Sequence, residues 1–439
     1  MTDSERHPAR TNAPEDLPGT VRRVNDVEYV DRAKALIMLG VKKESLYTYV
    51  SRGLIKAYSE PGKKTSLYRK SDLEKLKTRT TAKGASKPVA QVLRYGEPIL
   101  QTWVCEVTSQ GPRYRGQLAT DLARAGRSLE YVADLIWSGL PPIRDKPWPR
   151  QFDKDAERVC LGIAGSGAPA APLRMLAGIA LESSALAAPD RDRHLDIRGS
   201  GVKLLSGFAG ISGYFGPKPG YQRGSTDEFI ADRVLRGFGL EASKDRDEAR
   251  SALTAALTLS VDNELSAPTF CARIAASTGV DAFACVAAAL MAQAGPMQAG
   301  GVMDLEDFFD DLFRSPAPRS VPAARTLSIP CFDHPLYEQD PRAELLLKYV
   351  QALPDPMGTR DTLLSFLETV SLEGGGYPNL FAALVVLSRT LGLPRGTAVY
   401  LHSLGRTAGW LAHITEQRLT GVMLRPRAYF MGSPSERRK

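Results

Sequence analysis

The stretch from residue 261 to residue 301 constrains the fold more than any other part of this 439-residue chain. It reads VDNELSAPTFCARIAASTGVDAFACVAAALMAQAGPMQAGG: a polar turn, two runs rich in Ala and Ser, and a Gly-rich end. Apolar residues recur at helical spacing in both runs, which predicts two closely packed helices of a buried hairpin. The side chains expected to face the core are Phe270, Ile274 and Thr278 in the first run and Phe283, Val286, Ala287 and Leu290 in the second.

The overall composition is that of a globular protein large enough for a substantial core. Hydrophobic residues make up 43% of the chain and charged residues 24%, which are ordinary proportions. The sequence contains no apolar run of the roughly 18 residues that span a membrane, and the polar N-terminus does not resemble a signal peptide. The five cysteines lack CxxC spacing, which indicates free thiols and no metal site. We therefore expect a cytoplasmic protein that does not bind a membrane.

The excess positive charge is concentrated near the N-terminus. Residues 20–90 hold 17 Lys and Arg against 7 Asp and Glu, a net charge of +10, whereas the whole chain carries +8. Such a local excess favours a polyanionic partner. Composition and periodicity divide this region into a disordered tail at 1–26, a small helical unit at 27–78, and a flexible linker at 79–91.

The unit at 27–78 resembles the MerR/excisionase type of winged helix-turn-helix. The matching residues are LGVKKESLYTYVSRGLI and, after a hairpin, GKKTSLYRKSDLEKL. The resemblance implies DNA binding, with the second helix in the major groove and the wing on phosphates. The implied contacts are Lys43, Ser45, Tyr47, Thr48 and Arg52 on the helix and Lys63, Lys64 and Arg69 on the wing. The alternative is a basic helical cap that decorates the larger domain.

The remainder of the chain, from about 92 to 432, resembles the citrate synthase family in five or more blocks. The family runs DHELNASTFTARVxASTG and then GPLHGGA, where this chain has DNELSAPTFCARIAASTG and GPMQAGG. Further matches are IPCFDHPLYEQDPRAELLL, LGRTAGWLAHITEQRLTG and LRPRAYFMG. The resemblance implies a mainly α, multi-helical citrate synthase fold over 92–439, preceded by the winged helix-turn-helix. It also implies a large and a small helical domain, the small one at roughly 301–390.

The same resemblance assigns roles to individual residues. It implies that His334 polarises the ketone of a dicarboxylate substrate. Three arginines, Arg342, Arg406 and Arg425, would bind its carboxylates, with Arg425 reaching the site of a partner subunit. Three other positions depart from the family: Gln298 and Asn263 each stand where it has a histidine, and Phe381 where it has the catalytic aspartate.

These departures leave several functions open. A phenyl ring cannot accept a proton, although the Gln298 amide still donates a hydrogen bond. We therefore interpret the chain first as a catalytically impaired regulator that binds DNA in response to a dicarboxylate or an acyl-CoA. The alternatives are an active citrate or 2-methylcitrate synthase-like acyltransferase using acetyl- or propionyl-CoA and oxaloacetate, or a helper subunit of an intact paralogue. We expect no bound cofactor, an acyl-CoA as substrate or ligand, and a homodimer or a heterodimer with such a paralogue.

Overall fold

The computed structural model divides the chain into two compact units, Met1–Ile99 and Leu100–Lys439. The boundary lies a few residues beyond position 92, where the second module was expected to begin. The structure describes residues 21–24, 27–39, 46, 50, 55, 57–59, 66–73, 100–149, 154–165, 172–186, 196–314 and 329–426.

The N-terminal unit contains an antiparallel sheet in the order β1-β2-β4-β3. Its elements are β1 (Val21–Val24), β2 (Val27–Val30), α1 (Arg32–Leu39), β3 (Ala57–Ser59) and β4 (Ser66–Arg69). Strand β1 falls inside the segment 1–26 that composition predicted to lack regular structure. Tyr29 lies on β2 opposite Arg69. A small core of Val30, Ala35, Leu46, Ile55, Tyr68 and Leu73 holds these elements together.

Most of the expected DNA contacts lie outside the described residues. This applies to Lys43, Ser45, Tyr47, Thr48, Arg52, Lys63 and Lys64. Arg69 is described: it is half-buried at the end of β4, and its Nε makes no hydrogen bond. Strands β3 and β4 pair antiparallel. DNA binding by this unit stays a prediction.

The C-terminal unit is mainly helical and begins with a three-stranded antiparallel sheet. The strands are β5 (Cys105–Thr108), β6 (Gly111–Tyr114) and β7 (Gln117–Leu118). The first helices are α2 (Ala119–Arg124), α3 (Leu129–Ser138), α4 (Lys154–Gly165), α5 (Pro172–Ala185), α6 (Ile197–Ala209), α7 (Ile230–Gly237) and α8 (Arg246–Ser260). They are followed by α9 (Ala267–Ser277), α10 (Ala282–Gln293), α11 (Gly301–Arg314), α12 (Pro341–Gln351), α13 (Thr359–Leu372), α14 (Leu380–Thr390) and α15 (Thr397–Thr420). A 3₁₀ helix at Gly210–Phe215 and a π-helical turn at Pro296–Gly300 complete the described helices.

The predicted hairpin is present as α9 and α10, but only half of its predicted core face is right. The α10 side chains Phe283, Val286, Ala287 and Leu290 are buried, which confirms that prediction. On α9 the buried side chains are instead Pro268, Thr269, Ala272, Arg273 and Ala276. Ile274 is exposed in the single chain. The reason is that Arg273 turns inward to pair with Glu416 at 2.9 Å.

Helix α15 passes through the middle of the C-terminal unit and is buried along most of its length. Two glycines let it approach the end of α8. A Cβ on Gly405 would lie 2.5 Å from the carbonyl oxygen of Leu257, and one on Gly409 would lie 2.1 Å from that of Val261. No side chain fits at these distances. The close approach brings the face of α15 that carries Arg406 against the polar turn after α8.

No single described helix is both long and apolar enough to cross a membrane. The pair that would qualify together, Ala282–Gln293 with Pro296–Phe313, is bent by 54°. All five cysteines are free thiols.

Candidate active site

Arg406 is held in the interior by the turn between α8 and α9. Its side chain is 3% exposed. Its Nη2 donates to the carbonyl oxygen of Glu264 at 2.9 Å, to Oγ of Ser266 at 3.1 Å and to Oγ1 of Thr269 at 2.9 Å. These bonds fix one end of the guanidinium, and no other hydrogen bond joins Nε or Nη1 to a described residue.

Asp262 provides the negative charge beside Arg406. The carboxylate is fully buried, 3.8 Å from Nη1 of Arg406 and 3.3 Å from Nε2 of His413. Burial alone would raise the pKa of Asp262, but the charge of Arg406 and the charge and hydrogen bond of His413 outweigh it, so the pKa is lowered. Asp262 therefore remains ionised and anchors Arg406.

Asp340 organises the second arginine. It caps the N-terminus of α12, accepting from the backbone N–H of Arg342 at 3.1 Å. It also accepts from Nε and Nη2 of Arg342 at 2.9 and 2.8 Å and from the backbone N–H of Leu380 at 3.0 Å. One carboxylate thus ties the start of α12 to the start of α14. Arg342 is 5% exposed, and its Nη1 makes no hydrogen bond within the described residues.

His334 lies next to Arg342 and is neutral. Burial first, and then the charge of Arg342, lower its pKa to about 4, against a smaller opposing effect of Asp340. The backbone N–H of Leu336 donates to Nδ1 at 3.1 Å. In the neutral tautomer with the proton on Nε2, Nδ1 carries the lone pair that accepts this bond. In that tautomer His334 presents a hydrogen-bond donor to the site.

Other donors meet the same ring nitrogen. Nη2 of Arg342 lies 3.4 Å from Nε2 of His334, and Nδ2 of Asn263 lies 3.2 Å from it. The Asn263 amide is oriented by Tyr337, whose hydroxyl donates to Oδ1 at 2.9 Å. Three N–H-bearing nitrogens therefore lie together, and of these Nη2 of Arg342 also donates to Oδ2 of Asp340 at 2.8 Å. This is the arrangement that an oxygen atom of a ligand would satisfy.

Phe381 lies at the start of α14, where Asn379 caps the helix by accepting from the backbone N–H of Phe381 at 2.9 Å. Its ring is half-buried, and its centroid lies 4.3 Å from that of the His402 imidazole. The adjacent Leu380 donates its backbone N–H to Asp340, which anchors Arg342. The start of α14, which carries Phe381, therefore lies next to the Asp340–Arg342 pair.

Two predicted site residues are not joined to the others. Gln298 lies on the π-helical turn before α11; its half-buried side chain makes no hydrogen bond to a described residue. Arg425 is exposed in the single chain, in the segment after α15. By contrast, Asn263, His334 and Arg342 form one cluster, and Arg406 approaches it through the turn 262–266.

Sequence reasoning missed several members of this site. Asp340, Tyr337 and Glu264 orient or border the predicted residues, and burial raises the pKa of the Glu264 carboxyl. His402 was also missed. It lies four residues before Arg406, so both side chains share one face of α15.

The described residues contain no cluster of three or more His, Cys, Asp or Glu side chains able to hold a metal ion. What the site does offer is two buried guanidinium groups, a neutral imidazole donor and an amide. Together they suit a small anion that bears carboxylates and one further oxygen.

Comparison with known proteins assigns the chain to a family. The model of the citrate synthase C-terminal domain matches residues 95–427. The chain belongs to the citrate synthase family. Its mainly helical C-terminal unit is the fold that the sequence resemblance implied.

Individual relatives are distant. "Putative citrate synthase 2" of Mycobacterium tuberculosis is 31% identical over 191 residues, which cover 41% of this chain and 51% of the relative. Citrate synthase of Synechocystis is 30% identical over 40% of this chain and 47% of the relative. The matches thus span about half the length of these curated relatives. Citrate synthase of Haloferax volcanii is 25% identical over 73% of this chain and 89% of the relative.

Solved structures agree on the fold. The citrate synthase of Thermoplasma acidophilum, in ternary complex with carboxymethyl coenzyme A and oxaloacetate, matches with a TM-score of 0.61 and 21% identity. The match covers 81% of this chain and 98% of that one. Citrate synthase of Pyrobaculum aerophilum gives a TM-score of 0.61 at 21% identity, covering 77% of this chain and 91% of that one.

Proposed function

We propose that this chain is an acyltransferase that joins the acyl group of a coenzyme A thioester to a 2-oxo dicarboxylate and releases the free thiol. The observation that carries the proposal is the cluster of Nε2 of His334 with Nη2 of Arg342 at 3.4 Å and Nδ2 of Asn263 at 3.2 Å. The ketone oxygen of a 2-oxo acid fits there, because it accepts hydrogen bonds and gains negative charge when the carbonyl carbon is attacked.

The two buried arginines support the dicarboxylate half. Asp340 holds the Nε–Nη2 edge of Arg342, which leaves Nη1 for a ligand. In Arg406 the Nη2 end is held by three oxygens, which leaves Nε and Nη1. A guanidinium whose orientation is already fixed binds a carboxylate with less loss of side-chain entropy.

The thioester half rests on Gln298 and on the family. The Gln298 amide can donate to the oxygen of a thioester as negative charge develops on it. The Thermoplasma relative was solved with a coenzyme A derivative and oxaloacetate together. The relatives are named as enzymes, which favours an acyltransferase over a receptor without turnover.

The test is thiol release from acetyl- or propionyl-CoA, with and without oxaloacetate. The proposal predicts release that requires the oxo acid and falls at least 100-fold in Arg342→Leu, since an oriented charged donor contributes about 10²- to 10³-fold. Asp121→Asn, which breaks an exposed ion pair on α2, is the control and should keep wild-type activity. Binding of oxaloacetate without any thiol release would refute the proposal.

A second candidate is a regulator that binds the dicarboxylate without turnover. Phe381 favours it, because an aromatic ring occupies the position that the family gives to a catalytic carboxylate. In this second candidate, the basic N-terminal unit would bind DNA, and the dicarboxylate would change that binding. Titration of genomic DNA fragments with the full chain, with and without oxaloacetate, tests this second candidate. A change in DNA affinity on adding oxaloacetate supports a regulator. The absence of DNA binding at low salt excludes it.

A further inference from the structure

His402 is a buried polar side chain that no interaction in the described chain accounts for. It is 8% exposed, and its Nδ1 is buried without a hydrogen-bond partner. Its Nε2 makes no hydrogen bond to a described residue either. A buried unpaired ring nitrogen costs stability, so a ligand that pairs with it would explain why it is tolerated.

The surroundings of His402 point into the candidate active site. On its own helix, Arg406 lies one turn further along and acts on it electrostatically, as does Arg342 from α12. From α14, the Phe381 ring packs against the imidazole. Burial, and then the charges of these two arginines, lower the pKa of His402 well below its ordinary value. The ring is therefore neutral and keeps one nitrogen lone pair.

We propose that His402 is the proton acceptor of this active site, in place of the carboxylate that Phe381 has displaced. The inference rests on the proposed function. The geometry carries it: the imidazole lies against the ring of Phe381, shares a helix face with Arg406, and has a nitrogen with no protein partner.

The step is a transfer of one proton. A C–H bond next to the thioester carbonyl breaks, and its proton moves to the free nitrogen of His402. The C–H electron pair forms the carbon–carbon double bond of an enolate, and the carbonyl π pair moves onto the thioester oxygen. The imidazole becomes imidazolium, and the carbon–sulfur bond stays intact. No oxidant, metal or further reactant is required.

Because Arg342 and Arg406 lie near His402, the basicity of its imidazole depends on whether a dicarboxylate is bound to them. While the site is empty, their charges disfavour the imidazolium. A bound dicarboxylate offsets those charges and makes the imidazole more basic. Proton abstraction is therefore expected to require the oxo acid or a dicarboxylate that mimics it.

The test separates proton abstraction from the complete reaction. Exchange of the acetyl-CoA methyl hydrogens for deuterium in D₂O, with malate as a dicarboxylate that cannot condense, is followed by mass spectrometry. Wild type should exchange, whereas His402→Gln should lose about 10²- to 10⁴-fold, the contribution of a general base. Malate affinity measured by calorimetry should change far less. His402→Phe provides a second, apolar variant if the glutamine disturbs folding.

Rescue gives the decisive comparison. Adding Phe381→Asp to His402→Gln returns a carboxylate next to the lost imidazole and should restore exchange at least 10-fold. If wild type exchanges and releases thiol while His402→Gln and His402→Phe match it, the role of His402 is refuted and the proposed function stands. If wild type binds malate but shows neither exchange nor thiol release, the acyltransferase proposal fails and this one fails with it.

Discussion

The ring of Phe381 packs on the imidazole of His402 with their centroids 4.3 Å apart and their planes at 41°. The contact joins the start of α14 to the middle of α15. A residue that cannot take a proton thus sits in direct contact with one that can. Position 381 lacks the aspartate of the family, but a group that can accept a proton lies in contact with it.

Restoring the family's carboxylate tests this directly. Phe381→Asp in the otherwise unchanged chain should alter thiol release less than 10-fold, because His402 already supplies a base and a second base adds little. Steady-state assays with acetyl-CoA and oxaloacetate measure this. A gain of 100-fold or more in Phe381→Asp with Gln298→His, over an inactive wild type, would support the regulator interpretation instead.

Asp262, which pairs with Arg406, should contribute strongly to the free energy of unfolding. Asp262→Asn leaves Arg406 and His413 buried without their carboxylate. Breaking such a buried pair typically costs about 3–5 kcal/mol. Denaturant unfolding of the full chain measures the loss. Asp121→Asn removes an exposed pair with Arg124 and should cost no more than ~1 kcal/mol; equal losses in the two variants would contradict the account.

Glu306 should make stability depend on pH near neutrality. It is buried, accepts from the backbone N–H of Gly396 at 2.9 Å, and leaves Oε1 unpaired. Burial raises its pKa from 4.5 to about 7, against the hydrogen bond of Gly396 and the charges of two arginines. The folded state therefore holds a proton that the unfolded chain has released, and stability falls as pH rises from about 4.5 through 7.

Glu306→Gln should remove this dependence, on the order of 3 kcal/mol between those limits. Thermal unfolding at several pH values measures it. Glu130, whose pKa burial also raises to about 7, gives a parallel variant with the same sign. His334, with its pKa lowered to about 4, contributes in the opposite direction and at lower pH. A Glu306→Gln variant with an unchanged pH profile would show that Glu306 stays ionised.

Arg425 should act across a dimer. It is exposed in the single chain and joined to no other candidate residue. If each site borrows it from the partner, Arg425→Ala and Arg406→Ala should each be inactive, whereas subunits mixed by unfolding and refolding should regain about a quarter of wild-type activity. Thiol release by the mixture measures this, with sedimentation as a check on the dimer. Full activity of Arg425→Ala alone would exclude the shared site.

Part of this architecture could be predicted from sequence because it depends on local spacing. The buried face of α10 follows from helical periodicity, whereas the roles of His334 and Arg342 were implied by the family resemblance of the block IPCFDHPLYEQDPRA. The buried face of α9 could not be predicted, because Arg273 is drawn inward by Glu416, 143 residues away in the chain. Periodicity assigns a charged side chain to the surface unless its distant partner is known.

The same limit explains why His402 was overlooked. On the sequence it is a histidine within an apolar helix, which more often packs in a core than acts in a site. Only the structure shows that its Nδ1 lacks a partner and that Phe381 lies against it. The functional signal was an unsatisfied hydrogen bond, which a sequence pattern does not contain.

The most direct test of the account is the pH dependence of single-turnover thiol release at saturating oxaloacetate, compared between wild type and the His402→Gln, Phe381→Asp double variant. The account predicts that the two rates fall at different pH values as pH decreases, because the wild-type base is the imidazole of His402 and the base of the double variant is a carboxylate. Superimposable profiles, or a wild type that releases no thiol at any pH, would contradict it.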